Sequence, residues 1–251
     1  IIYFKGVYDT LDLFTDHLIE AFESMGYGTF VYHTANEEVS KKMLLRLLDE
    51  SQEFVVVTFN NLGYNLSFEQ SEAAEDEEKK PEEHNIWDYF HIPYIDILMD
   101  HPFHYEKPLC NMPETAVILC TDRNHVKYIR RFFKNIHRTD FLPHAGVELG
   151  HKHKPLNDRN IDVLYAGALP IYTVAKMIPD LHSIPEVDGE HMMQSVLGEL
   201  VQHPEQTTEQ AIEAYVKSVR GDISDRRLQE IIVKMRFLDS YATSLFREQA
   251  V

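Results

Sequence analysis

"EFVVVTFN", residues 53–60, decides the fold. Its apolar residues are consecutive: Phe54, Val55, Val56 and Val57, then Phe59. A strand with one wet face alternates apolar with polar. A strand covered on both faces does not, and coverage on both faces is the habit of parallel sheets. Before this run, residues 1–7 ("IIYFKGV") read as a first strand. Residues 10–27 follow as an amphipathic helix, with Leu11, Phe14, Leu18, Ala21, Phe22 and Met25 three or four apart and Gly26 at its end. Residues 29–34 read as a second strand, and 36–51 as a second helix with Asn36 as N-cap.

After the run, residues 67–85 ("SFEQSEAAEDEEKKPEEHN") are acidic and have little to bury. They read as a solvated insertion or a short exposed helix. The alternation then resumes. Residues 86–92 form a short helix or turn, 93–100 ("PYIDILMD") a fourth strand and 115–122 ("TAVILCTD") a fifth. A helix at 123–136 buries Val126, Ile129, Phe132, Phe133 and Ile136, and a sixth strand covers 139–146. A seventh strand is expected at 161–167 ("IDVLYAG"). From Leu169 on the reading is helical: 172–178, 191–203, 207–221 and 224–251. Thr207 or Thr208 caps the third of these, with Glu209 or Gln210 near the capping-box position, and Asp222 or Ser224 caps the last.

This order predicts an α/β fold, a doubly wound and mostly parallel Rossmann-like sheet followed by a helical carboxyl-terminal region. The expected division is a Rossmann-like domain over 1–150 with its acidic insertion, a linker over 151–160, and the start of a mostly helical second domain over 161–251.

Bulk properties narrow the function classes. The chain has 251 residues and a formal charge of −17, from 41 acids and 24 bases. Such a surface repels nucleic-acid backbones and anionic lipid. The basic string "KYIRRFFK" at 127–134 reads as a solvated helix face. Cys110 and Cys120 form no C-x-x-C pair, so no disulfide framework or zinc ribbon is expected, and a reducing cytoplasm fits. No run approaches the roughly 18 apolar residues of a membrane span. The glycine-rich nucleotide fingerprints G-x-G-x-x-G and G-x-x-x-x-G-K-S/T are absent, as is the G-x-S-x-G elbow.

In doubly wound sheets ligands bind at the carboxyl ends of the strands, where strand order reverses. That rule selects Gly6 and Asp9 after the first strand and Asn60 after the third. It selects Asp100, His101 and His104 after the fourth, and Asp122 and His125 after the fifth. His144 and Gly146 follow the sixth strand, and Gly167 the seventh. Each has an ordinary structural explanation. Asp9 or Thr10 can cap the first helix, Asp122 can cap the helix behind it, and Asp100-His101-Pro102 can be a turn. Together the Asp and His groups can supply a general base with its orienting partner, or bind substrate hydroxyls. His101 and His104 have H-x-x-H spacing and His151 and His153 lie close together, but no zinc-like array accompanies them, so no metal is expected.

The strings "YDTLDLFTDHLIEAFESMGY", "IPYIDILMDHPFHY", "CTDRNHVKYIRRFFKNI", "FLPHAG" and "RNIDVLYAG" occur in that order. Over residues 1–167, and more weakly to 251, this resembles the amino-terminal region of bacterial CgeB-type (spore-maturation-protein-B-like) glycosyltransferases. The resemblance implies a GT-B enzyme without a resident cofactor or metal. Its co-substrate is a UDP- or GDP-linked sugar, and its acceptor is a small molecule, a glycan or a protein. It implies that residues 1–150 carry the acceptor side, with Asp100 or His101 as base and Asp122, His125 and His144 orienting or binding. The strand at 161–167 would open the donor-side domain. The sequence departs from the pattern by stopping at "SYATSLFREQAV" and by lacking a glycine-rich diphosphate loop in "GALPIYTVAKMIP". A partner chain or second copy is then expected to supply the missing half.

Two other classes compete. A non-catalytic Rossmann-like binding module would use the apolar positions Ile231, Ile232, Met235, Phe237 and Leu238 of the final helix as a partner surface. A receiver-like domain has Asp9, Asp96 and Asp100 available, but the Lys and Ser/Thr strand ends it needs are not evident.

Overall fold

The apolar run at 53–60 supplies a central strand, with all of Val56–Phe59 buried. The computed structural model describes residues 1–49, 53–70, 82–146, 154–160 and 184–242. Two compact units divide the chain, Ile1–His144 and Ala145–Val251.

In the first unit, β1 (Ile2–Lys5) leads through α1 (Asp9–Ser24) to β2 (Phe30–His33), and α2 (Glu37–Leu48) leads to β3 (Val56–Phe59). A hairpin follows, β4 (Ser67–Gln70) with β5 (Glu82–Asn85), then the short α3 (Ile86–Tyr89). Next come β6 (Tyr94–Leu98), α4 (Glu106–Cys110), β7 (Ala116–Cys120), α5 (Arg123–Phe132) and β8 (Arg138–Phe141). Six strands form one parallel sheet in the order β2-β1-β3-β6-β7-β8. This is the expected doubly wound, Rossmann-like architecture. The order reverses between β1 and β3, so the switch-point crevice lies at their carboxyl ends.

Both faces of the sheet are closed by aromatic packing. On one, Tyr3, Val57, Phe59 and Ile97 pack with Leu11, Phe14, Leu18 and Phe22 of α1. On the other, the Phe4 ring lies 5.0 Å from Tyr32 and 6.1 Å from Trp87, and Trp87 lies 6.1 Å from Tyr94. Each such ring contributes about 1.5–3 kcal/mol by leaving water.

Several local expectations are refined. Ser67–Gln70 and Glu82–Asn85 pair as antiparallel strands and not as a helix. The reason is Phe68, whose ring packs 4.9 Å from Tyr89 and 6.1 Å from Phe90. Residues 71–81 lie outside the described ones. Asn36 does precede α2, after a 3₁₀ turn, but its side chain makes no capping bond. Asn85 instead caps α3, accepting from the amides of Trp87 and Asp88. The sixth strand is shorter than expected, because Pro143 has no N–H to continue a ladder. At this edge of the sheet Arg130 donates to the Thr139 carbonyl at 2.8 Å, and the Phe141 amide donates to Asp140 Oδ1 at 2.7 Å.

In the second unit, α6 (Gly189–Gln202), α7 (Thr208–Val219) and α8 (Asp225–Met235) are capped by Asp188, Thr207 and Ser224. The Thr207 amide donates to Gln210 Oε1, half of a capping box. The final helix breaks at Arg236 before residues 237–242 resume. Ile231, Ile232, Met235, Phe237 and Leu238 are buried, the most exposed at 7%. The partner surface expected there is therefore not open. Residues 161–167, expected as a strand ending in Gly167, and 172–178, expected as a helix, lie outside the described residues, as do His151 and His153. Among the described residues no helix is long and apolar enough to cross a membrane.

Candidate functional site

The chain leaves β3 through two consecutive non-glycine residues in the left-handed region, Asn60 (φ 48°) and Asn61 (φ 65°). Asparagine tolerates that region better than most residues, though at a cost. The turn behind them folds back over the sheet and is held by its own carbonyls. Leu62 O accepts from Thr58 Oγ1 at 3.1 Å and from the Tyr94 hydroxyl at 2.8 Å. Gly63 O accepts from the Trp87 indole at 2.7 Å, and Tyr64 O from Asn85 Nδ2 at 2.8 Å. Gly63 is also left-handed (φ 78°) and rests directly on the Phe4 ring.

That seated turn aims Asn60. Its Oδ1 accepts from the Met99 amide at 2.8 Å, and its Nδ2 donates to Asp100 Oδ2 at 2.9 Å. The Tyr105 hydroxyl donates to the same Asp100 oxygen at 2.8 Å. Two donors thus fix one oxygen of an exposed carboxylate, and Oδ1 makes no protein hydrogen bond among the described residues. Burial, the bond to Asp100 and the charges of Asp100 and Asp96 push the Tyr105 hydroxyl far above the usual tyrosine range, so it stays a donor.

The neighbouring strand end has a different character. Gly6 (φ 99°) donates its amide to both oxygens of Asp12, at 3.0 and 3.1 Å. Helix α1 starts at Asp9, which is exposed, and Tyr8 before it caps with no side-chain bond. The cap expected from Asp9 or Thr10 is thus replaced by Asp12 reaching back to Gly6. An anion at this helix terminus would face Asp9 and Asp12.

The expected histidines sit elsewhere. His101 Nδ1 accepts from the Phe103 amide at 3.2 Å, capping a 3₁₀ turn. Its ring lies 3.8 Å from Phe103, 4.7 Å from His125 and 5.2 Å from Tyr128. His104 is exposed, with its ring 4.4 Å from Phe103. The partners that orient Asp100 are therefore Asn60 and Tyr105, while His101 belongs to an aromatic cluster with His125. Asp122 is committed to α5, accepting from the Asn124 amide at 2.6 Å. Asp122→Ala is expected to cost about 1 kcal/mol in urea unfolding and to leave ligand binding at the Asp100 end unchanged. His144 is exposed beyond the end of β8, which β6 and β7 separate from β3, and Gly146, also exposed, falls in the second unit.

Sequence reasoning notes Asn61 after the third strand and Tyr105 after the fourth without giving either a role, passes over Asp12, and weighs Asp96 only for a receiver pocket. Asp96 interrupts the buried strand Tyr94–Leu98, and an acid inside such a run is itself a signal. It is 0% exposed, and its Oδ1 accepts from the Asn61 amide at 2.9 Å. Burial pushes its carboxyl up to about 7, against the opposing pull of that amide.

Among the described residues no group of three or more His, Cys, Asp or Glu is placed to hold a metal ion. A cavity of about 380 Å³ opens at the opposite end of the sheet, lined by Leu48, Phe54, Phe90, His91 and Ile92. It lies away from Asp100, at the amino-terminal ends of β3 and β6. Comparison of the chain with family models, with curated proteins and with solved structures gives no match.

Proposed function

We propose that the chain belongs to a sugar-nucleotide-dependent glycosyltransferase of the GT-B kind, and that its Rossmann-like unit binds the acceptor. The observation that carries this reading is Asp100, an oriented carboxylate at the end of the strand beside β3, with one oxygen fixed and the other open. An acceptor hydroxyl donates to Oδ1. As its oxygen bonds to the sugar's anomeric carbon and the bond to the nucleoside diphosphate breaks, its proton passes to Asp100. The acids at the α1 terminus support an uncharged, hydroxyl-rich ligand here in place of a diphosphate. The five ordered strings support the same reading. No resident metal or cofactor enters the scheme, and two free cysteines suit a cytoplasmic setting.

The test is transfer and hydrolysis of UDP- and GDP-linked sugars by the full-length gene product. Asp100→Asn keeps an acceptor for Asn60 and Tyr105 but cannot take the proton. It is expected to lower kcat/KM by about 10²-fold or more with the unfolding midpoint unchanged. Wild-type rates in that variant would remove Asp100 from the role. Absence of turnover and of thermal shift across the donor panel would overturn the reading.

A further inference from the structure

The turn that aims Asn60 stands on a buried acid that the acceptor chemistry does not touch. Asp96 Oδ1 holds the Asn61 amide. Its Oδ2 and both polar atoms of the Asn61 side chain are buried without a hydrogen-bond partner among the described residues. Asn61 itself is 4% exposed. Buried polar groups are ordinarily satisfied, and non-glycine residues ordinarily avoid the left-handed region. Here both exceptions fall on one residue, next to the one that fixes Met99 and Asp100. Strain of this kind concentrates at sites where geometry matters more than stability.

We infer that Asp96 is a positioning residue whose protonation state sets the Asn60–Asn61 turn and, through Asn60, the aim of Asp100. The inference rests on Asp100 being the hydroxyl-binding acid. In the ionised state the carboxylate holds the Asn61 amide by a charge-assisted bond. When Oδ2 takes a proton from solvent it becomes a donor. The unused Asn61 Oδ1 sits on the residue that Asp96 already holds and is its acceptor. Turning that side chain re-tilts the strained backbone, and Asn60 moves with it. The titratable groups that feel the Asp96 charge are Tyr94 of its own strand, Cys120 of β7 and Tyr105 of the turn after β6. None is cationic, and Thr58, its neighbour in register on β3, does not titrate. The exchange therefore falls near neutral pH, where burial places this carboxyl.

The experiment is an amide NMR titration of the full chain across the neutral range, following the Asn61 and Met99 backbone amides and the Asn60 side-chain amide. In the wild type all three are expected to shift together with one midpoint near 7. Asp96→Asn keeps an acceptor for the Asn61 amide and cannot titrate, so the shared midpoint disappears. Asn61→Gly keeps the left-handed backbone but removes the acceptor for the protonated acid, and lowers the midpoint by about one unit. Separate midpoints for Asn61 and Asn60, or a midpoint that survives Asp96→Asn, would overturn the inference. So would an unmoved midpoint in Asn61→Gly. No sugar donor enters these readouts. A shared midpoint in an inactive enzyme sinks only the glycosyltransferase reading, and an active enzyme without one sinks only this inference.

Discussion

Gly63→Ala is expected to destabilise the Rossmann-like unit by roughly 3–5 kcal/mol, a large effect for a single methyl group. Two costs combine. The left-handed backbone (φ 78°) disfavours any Cβ, and that Cβ would lie 2.1 Å from Phe4 Cζ. Phe4 cannot retreat, because it is buried between Tyr32 and Trp87. The carbonyls of Leu62 and Gly63 are both held, so the turn cannot lift away without breaking the bonds from Thr58, Tyr94 and Trp87. Urea unfolding should show a large fall in midpoint at unchanged slope. Gly28→Ala is the control, since an added Cβ there meets nothing within 4 Å. A loss below about 1 kcal/mol for Gly63→Ala would mean that the turn is not seated on Phe4.

Wild-type stability is expected to fall relative to Asp96→Asn by about 2.5 kcal/mol as the pH rises from about 5 to about 8. The sign follows from the direction of the shift. Burial raises the folded-state value to about 7, above the ordinary aspartate value that the unfolded chain has. Between the two the folded chain binds the extra proton, so stability is full at acid pH and is lost as the pH passes through the folded value. Taking the difference between wild type and variant isolates Asp96, because every other group is common to both proteins. Parallel pH dependences for the two proteins would show that Asp96 ionises normally.

The layout of the sheet is legible because it depends on composition over whole segments. Consecutive valines mark β3 as covered on both faces, and the alternation of elements then gives the winding. Caps made by near neighbours are legible too: Asp122, Thr207 and Ser224 act over two or three residues. Contacts made across the sheet are not. Asn60 and Asp100 are separated by 40 residues, and Asn61 and Asp96 by 35. Strand order brings their backbones together, but which side chain turns inward depends on the left-handed pair, and no periodicity encodes that. His101 shows the reverse failure. It has the right residue type at the right strand end, yet its Nδ1 is used by the Phe103 amide and its ring packs against other rings. Helix α4 escapes notice because it is five residues long and contains Pro108, which a first turn accepts.

The outer margin of β8, the last strand of the sheet among the described residues, has a consequence for how the molecule behaves in a crowd. An unpaired strand margin is a template on which another chain can extend the sheet. Here a guanidinium occupies the Thr139 carbonyl, Asp140 takes the Phe141 amide, and Arg138 and Asp140 stand outward in alternation. The margin is quenched by its own side chains and followed by a proline. An incoming strand would have to displace both contacts and meet charge of each sign, so sheet extension from this side, and the fibrous aggregation it seeds, is opposed from within the fold.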